Sequence, residues 1–286
     1  MHASTRALDR CGIIFGMKEL QIKYEALISI VRDMERVAVA FSGGVDSALL
    51  LAASREALGT EVLALTADTA FFSASETAAA TAFCEGCGVP QRIVAFDILA
   101  VDEVVENAPD RCYRCKQQIL AHLLEAAQQV GAVLVEGSNA SDAEAYRPGA
   151  RALREAGVRS PLAEVGLTKA EVREASRQLG LPTWDKPSMA CLATRFPYGT
   201  RIVRAGLARV DEAERMLHEA GFDQVRVRVH DEMARIEVMP DQLPRLLDAS
   251  MRAQVHAALK DVGFSYVTAD LLGYRTGSAD EVLEGL

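Results

Sequence analysis

The chain reads as an α/β protein, a doubly wound parallel sheet followed by a small α+β domain. Three observations predict this. Short apolar strand-like runs alternate with helical ones up to about residue 136, as expected of parallel strands joined by helices on both faces of a sheet. One strand-to-helix junction, "AVAFSGGVDSALLLAA" at 38–53, breaks at two adjacent glycines, where the backbone alone can approach a ligand. Beyond residue 196 the period changes, and "VRVRVH" and "ARIEVM" read as two alternating strands. Open sheets of the first kind bind ligands beyond the carboxyl ends of their strands.

Taken in order, residues 1–16 show no periodicity and read as a loose N-terminal extension. Met17 opens a helical pattern (Leu20, Tyr24, Leu27, Ile30, Val31). Strand 37–41, helix 46–57, strand 61–67, helix 74–87, strand 91–96, helix 115–130 and strand 132–136 follow. A helix near 206–220 then precedes the two alternating strands, whose connection falls in Asp231-Glu232-Met233. A helix near 241–259 and a strand near 264–268 end the pattern. The expected domains are therefore 17–195 and 196–286, and 286 residues with 50% hydrophobic content suffice for one large core and a smaller one.

Net charge −9 disfavours wholesale binding to nucleic-acid backbones and leaves small anionic ligands as the better fit. No run reaches the 18 or so apolar residues of a spanning helix, and no signal-peptide order opens the chain, so a cytoplasmic location is expected. Six cysteines, four of them in two CxxC pairs, point to metal or redox chemistry rather than a disulfide framework.

The glycine junction reads as strand, tight turn, helix. Ala40, within the strand, is expected beside the nucleotide, and Gly43 and Gly44 let main-chain N–H groups reach an anion. Ser42 and Ser47 add hydroxyls, and the helix starting near Asp46 presents its positive end. No lysine follows the glycines, so this is not the G-x-x-x-x-G-K-[ST] loop. "SGGVDS" instead matches the PP-loop, the pyrophosphate-binding signature of enzymes that split ATP into AMP and pyrophosphate. Asp46 has two roles open to it, capping the helix and holding Mg²⁺ against the phosphates.

"PDRCYRCK" places Cys112 and Cys115 just before the helix of 115–130, and "KPSMACLATR" places Cys191 in a turn after Pro187. Thiols near a helix N-terminus, beside Arg111, Arg114, Lys116 and Arg195, suit a nucleophile or metal ligand. Cys84 and Cys87 of "CEGC" lie in and at the end of an alanine-rich helical run and read as buried thiols.

"SGGVDS", "RCYRCK", "EGSNASD" and "KPSMACLATR", in this order and spacing, resemble the LarE family of ATP-dependent sulfur transferases, from about Met17 to near the C-terminus. The resemblance implies a PP-loop domain, a small C-terminal domain and a homo-oligomer, commonly a hexamer. It implies adenylation of the carboxylates of a pyridinium dicarboxylic acid mononucleotide and their conversion to thiocarboxylates for a nickel-pincer nucleotide cofactor. Two sulfur sources occur in such enzymes. Either the cysteine of "ACL", here Cys191, gives up its own sulfur and becomes dehydroalanine, or three cysteines hold a [4Fe-4S] cluster that carries sulfide. The CxxC pair beside Cys191 resembles the cluster form, with Cys112, Cys115 and Cys191 as ligands; zinc on the same thiols is the structural alternative.

Further positions follow from the resemblance. Leu65 and Thr66 would meet the adenine, and Glu136, Gly137, Ser138, Asn139 and Asp142 would lie at the same sheet edge, Asp142 available to Mg²⁺. Arg195 would hold the AMP phosphate, and Arg226, Arg228 and Glu237 would bind the substrate phosphate. For these last three the ordinary alternative is a solvated strand face. Two other functions remain open, a tRNA thiolase, which would need a basic RNA platform, and a nucleotide- and metal-binding sensor.

Overall fold

The computed structural model describes residues 18–143, 148–187, 190–275 and 277–278. The extension expected at 1–16 lies outside the described residues. In chain order the elements are α1 (Lys18–Arg32), β1 (Val37–Ala40), α2 (Val45–Leu58), β2 (Val62–Asp68), α3 (Ala74–Cys87) and β3 (Gln91–Ala95). Then come α4 (Asp102–Val105), α5 (Arg111–Gln128), β4 (Val133–Val135), α6 (Pro148–Glu155), α7 (Pro161–Glu164) and α8 (Lys169–Gln178). The remainder is α9 (Arg204–Glu219), β5 (Val225–His230), β6 (Met233–Val238), α10 (Leu243–Leu247), α11 (Ala249–Asp261) and β7 (Tyr266–Ala269). No helix among the described residues is long and apolar enough to cross a membrane.

The chain forms two compact units, Met1–Asp97 with Cys112–Met189, and Ile98–Arg111 with Ala190–Leu286. In the first, all strand pairs are parallel and the order is β3-β2-β1-β4. Alternation along β1 sends Val37 and Val39 into one core with Leu20, Leu27, Leu50 and Val172, from α1, α2 and α8. Ala38 faces a second core with Leu65, Leu120, Leu123 and Leu153, from β2, α5 and α6. Both faces of the sheet are thus covered, which is why its strands read as continuous apolar runs rather than alternating ones.

The second unit is a three-stranded sheet, β5 antiparallel to β6 and β6 parallel to β7. The β5–β6 turn is tighter than expected: β6 begins at Met233, and Asp231 adopts the left-handed conformation with φ 55°. The single helix expected at 241–259 is two. Asp248, at ψ 143°, leaves the helical path and caps α11, accepting from Ser250 N at 2.9 Å.

The division differs from the expected boundary after residue 195. Ile98–Arg111 is stitched to the second unit: Gly199 N–H donates to Asn107 O (2.9 Å), Ile202 N–H to Val105 O (2.8 Å), and Asn107 Nδ2 to Pro197 O (2.7 Å). Cys191 and Arg195 belong to this unit as well.

Candidate active site

The glycine turn is built as a cradle. Gly43 has φ +70°, and a Cβ there would lie 3.3 Å from the Ala80 side chain, so conformation and space both call for glycine. Gly44 caps the 14-residue α2 and brings no side chain to its first-turn N–H groups, so that positive helix end suits an anion. Ser47 Oγ donates to Gly44 O (3.2 Å) and receives Ser42 N–H (3.3 Å), tying the turn to the helix. Behind it, the chain leaving β4 packs directly on α2: a Cβ on Gly137 would lie 2.9 Å from Ser47 N, a main-chain atom that cannot swing aside.

Asp46 sits in the first turn of α2, where the helix dipole favours a carboxylate. Its side chain does not cap the helix; it reaches across to two other segments. Asn139 Nδ2 donates to Oδ1 at 3.0 Å, and Lys169 Nζ donates to Oδ2 at 2.5 Å. Asn139 also places Asp142, whose Oδ2 accepts Asn139 N–H at 3.0 Å. The Asp46 and Asp142 carboxylates are therefore linked through one residue, a donor set that fits a hard cation such as Mg²⁺. Lys186 Nζ donates to Gly43 O at 2.9 Å. Lysines absent from the loop itself thus reach it from distant sequence, and neither is among the residues singled out from sequence.

Other expected residues fall differently. Glu136 is buried and accepts from Ser138 N (3.0 Å), Ser138 Oγ (2.9 Å) and Ser160 Oγ, so it organises the turn after β4. Leu65 and Thr66 lie inside β2, not at its end. Leu65 O accepts Phe41 N–H (2.8 Å), and Thr66 Oγ1 donates to Phe41 O (3.0 Å) and receives Gln91 Nε2 (2.8 Å). By alternation Ala67 is the next residue whose main chain faces the β1 side, where β1 has already ended at Ala40.

In the second unit a buried polar network replaces the solvated strand face. Arg226 and Arg228 are 2% and 7% exposed and Glu237 is fully buried. Arg228 Nε and Nη2 donate to the two Glu237 oxygens (3.0 and 3.1 Å), and its Nη1 reaches Thr194 O (2.7 Å). Arg226 donates to Val225 O (2.7 Å) and lies over the Tyr274 ring at 5.2 Å. Burial, then repulsion from Arg195, lowers its pKa below the ordinary arginine value, so its charge is costly where it stands.

Arg195 is 1% exposed. Its Nε and Nη2 form a two-bond fork with Glu214 (2.9 and 2.8 Å), and Nη1 donates to Ala190 O (2.6 Å) and Cys191 O (2.9 Å). All three nitrogens of the guanidinium are engaged in this way, and Arg195 anchors the Cys191 turn.

Helix α5 starts at Arg111, so Cys112 and Cys115 occupy its first turn rather than preceding it. Spaced i and i+3, both half-buried, they share a helix face, and their thiols fit two ligands of one iron site. Arg111, immediately before Cys112, is buried and donates to Ala193 O (3.1 Å), two residues after Cys191. Cys84 is buried and burial pushes its pKa up to about 12, with Cys87 also raised, an inert setting. Among the described residues no group of three or more His, Cys, Asp or Glu is assembled for a metal.

A parallel sheet whose first strand runs through a glycine turn into a helix, joined to a small C-terminal sheet, defines a PP-loop-like α/β protein. No family model matches the chain. Whole-chain relatives do. It is 36% identical over 93% of its length, and 97% of the relative, to the pyridinium-3,5-bisthiocarboxylic acid mononucleotide synthase of Lactiplantibacillus plantarum. It is 38% identical over 92% of its length to an uncharacterised protein of Synechocystis, covering 99% of that protein. A Methanocaldococcus jannaschii protein is 28% identical over 85% of the chain. The chain belongs to the LarE family of that synthase.

Proposed function

We propose that the chain is an ATP-dependent sulfur transferase that forms AMP and pyrophosphate. It adenylates the carboxylates of a pyridinium dicarboxylic acid mononucleotide and replaces carboxylate oxygen with sulfur, for a nickel-pincer nucleotide cofactor. The observation that carries the reading is the glycine turn at the start of α2, with Asp46 aimed at Asn139 rather than at its own helix. The synthase's chain-long likeness supports the choice of substrate.

Carboxylate is a poor acceptor because oxide would have to leave. Attack of its oxygen on the α-phosphorus of ATP forms the acyl-adenylate and breaks the α–β bridge, pyrophosphate taking the electron pair. Sulfur then bonds to the carbonyl carbon and AMP leaves. The main chain at Gly43 and Gly44 with Ser42 and Ser47 would bind the pyrophosphate, and Asp46 with Asp142 would hold Mg²⁺. The main chain after Leu65 and Thr66 would meet the adenine. Arg226 and Arg228, the latter oriented by Glu237, would take the substrate phosphate, which for Arg226 would relieve the cost of a buried cation.

For the sulfur, Cys112, Cys115 and Cys191 would hold a [4Fe-4S] cluster, which when bound carries the sulfide. The reading includes assembly as a homo-oligomer, the hexamer the resemblance implies, and a cytoplasmic location. ATP–pyrophosphate exchange tests the first half-reaction: label is expected to enter ATP only with Mg²⁺ and the pyridinium dicarboxylate mononucleotide present. Exchange without the carboxylate, or none with it, would count against the reading. For the second half, Cys112→Ala, Cys115→Ala and Cys191→Ala are each expected to lose iron and sulfur transfer after anaerobic purification. Dehydroalanine at position 191 in iron-free, fully active protein would instead assign the sulfur to Cys191 itself.

A further inference from the structure

Lys169 stands against the electrostatics of its own helix. It is the first residue of α8, where the positive helix end favours acids over cations. The rest of that turn is conventional: Thr168 and Glu171 form a reciprocal capping box, and Glu171 also accepts from Lys23 Nζ at 2.7 Å. Lys169 N–H donates to Ser141 Oγ at 3.1 Å, which fixes the root of the side chain beside the Asn139–Asp142 turn. From that fixed root, Nζ reaches Asp46 Oδ2 in the first turn of α2. Two helix N-termini are thus brought to one place with a lysine between them, and the pair is half-open, at 36% and 23% side-chain exposure.

A metal ion held by Asp46 would compete with the Lys169 ammonium for the carboxylate and repel it at close range, so metal binding would favour release of the lysine. Its rooted stem keeps Nζ close to the loop, where the phosphates would lie.

We propose that Lys169 is the phosphate-binding lysine of this loop: it neutralises Asp46 in the empty site, and moves to the β- and γ-phosphates when Mg²⁺ takes Asp46. The inference rests on reading the loop as an ATP site. It replaces in space the lysine that this glycine loop lacks in sequence.

Calorimetric titration of the full chain with the magnesium complex of α,β-methylene-ATP, and separately with AMP, tests it. Lys169→Met is expected to bind the analogue about tenfold or more weakly, while AMP, which lacks the β- and γ-phosphates, binds as to wild type. Lys169→Arg, which keeps the charge and the helix start, is expected to fall between the two. Unchanged affinity of Lys169→Met for the analogue would overturn the proposal. So would an equal loss for AMP and analogue, because a merely structural residue acts on both. If the wild-type chain binds no analogue, the ATP reading fails and the proposal falls with it; wild-type binding with an indifferent Lys169→Met overturns the lysine's role alone.

Discussion

Asp46→Asn is expected to reduce pyrophosphate formation by about a hundredfold or more, the scale on which a single preorganised electrostatic contact to the reacting phosphates acts. The reason is charge, not shape. Asparagine keeps an oxygen for Asn139 Nδ2, so the bond that positions the turn after β4 survives. What disappears is the anion that would draw Mg²⁺ to the loop. Stability should scarcely move, because the Asp46–Lys169 pair is partly exposed and such pairs contribute about 0–1 kcal/mol. Single-turnover assays beside a thermal melt separate the two effects. Wild-type turnover in Asp46→Asn would remove that carboxylate from the mechanism.

Arg195→Met is expected to behave in the opposite way, with stability as the main casualty. Glu214 is 6% exposed and holds the fork from Arg195 together with Val227 N–H at 2.8 Å. Removing the guanidinium leaves a buried carboxylate without its counter-charge, which costs about 3–5 kcal/mol in comparable sites. It also removes the donor to Ala190 O and Cys191 O, so the turn carrying Cys191 loses its tie to α9. A urea titration followed by far-ultraviolet circular dichroism is expected to show a lower midpoint. Arg195→Met with Glu214→Gln should recover part of the loss, because the amide leaves no unpaired charge. An unchanged midpoint in Arg195→Met would deny the anchoring role.

The parts of the fold that could be read from residues are those whose local pattern coincides with their environment. Helix α3 runs over the expected 74–87, because Ser73 and Glu76 make a capping box and Gly88 ends it in the left-handed conformation. The parallel sheet was legible because strands covered on both faces are uniformly apolar. Helices α6 to α8 drew no assignment from the pattern, although the Thr168-x-x-Glu171 capping box marks one start. Helix 241–259 read as one because its apolar period crosses Asp248, and only that residue's extended backbone separates α10 from α11.

The site divides along the same line. Gly43 could be picked out from its paired-glycine turn, whereas the close approach of Gly137 to Ser47 N shows only in the structure. Partners brought by tertiary contact could not: Lys169 lies 123 positions from Asp46 and Lys186 lies 143 from Gly43. Nor did alternation along β5 reveal that Arg226 and Arg228 face a buried network, since period two looks the same whether the polar face meets water or Glu237. Arg195 was singled out for a phosphate, and nothing in the sequence pointed to Glu214, which claims its guanidinium from an otherwise ordinary charged helix.

The central claim is that this chain exchanges carboxylate oxygen for sulfur at the cost of ATP split to AMP. Mass spectrometry of the pyridinium dicarboxylate mononucleotide, after incubation with anaerobically purified protein, Mg²⁺, ATP and sulfide, tests it most directly when AMP is counted in the same tube. The expected product is heavier by one sulfur-for-oxygen exchange per carboxylate converted, with one AMP formed for each. Substrate recovered unchanged while AMP accumulates, or sulfur incorporation with no AMP formed, would contradict it.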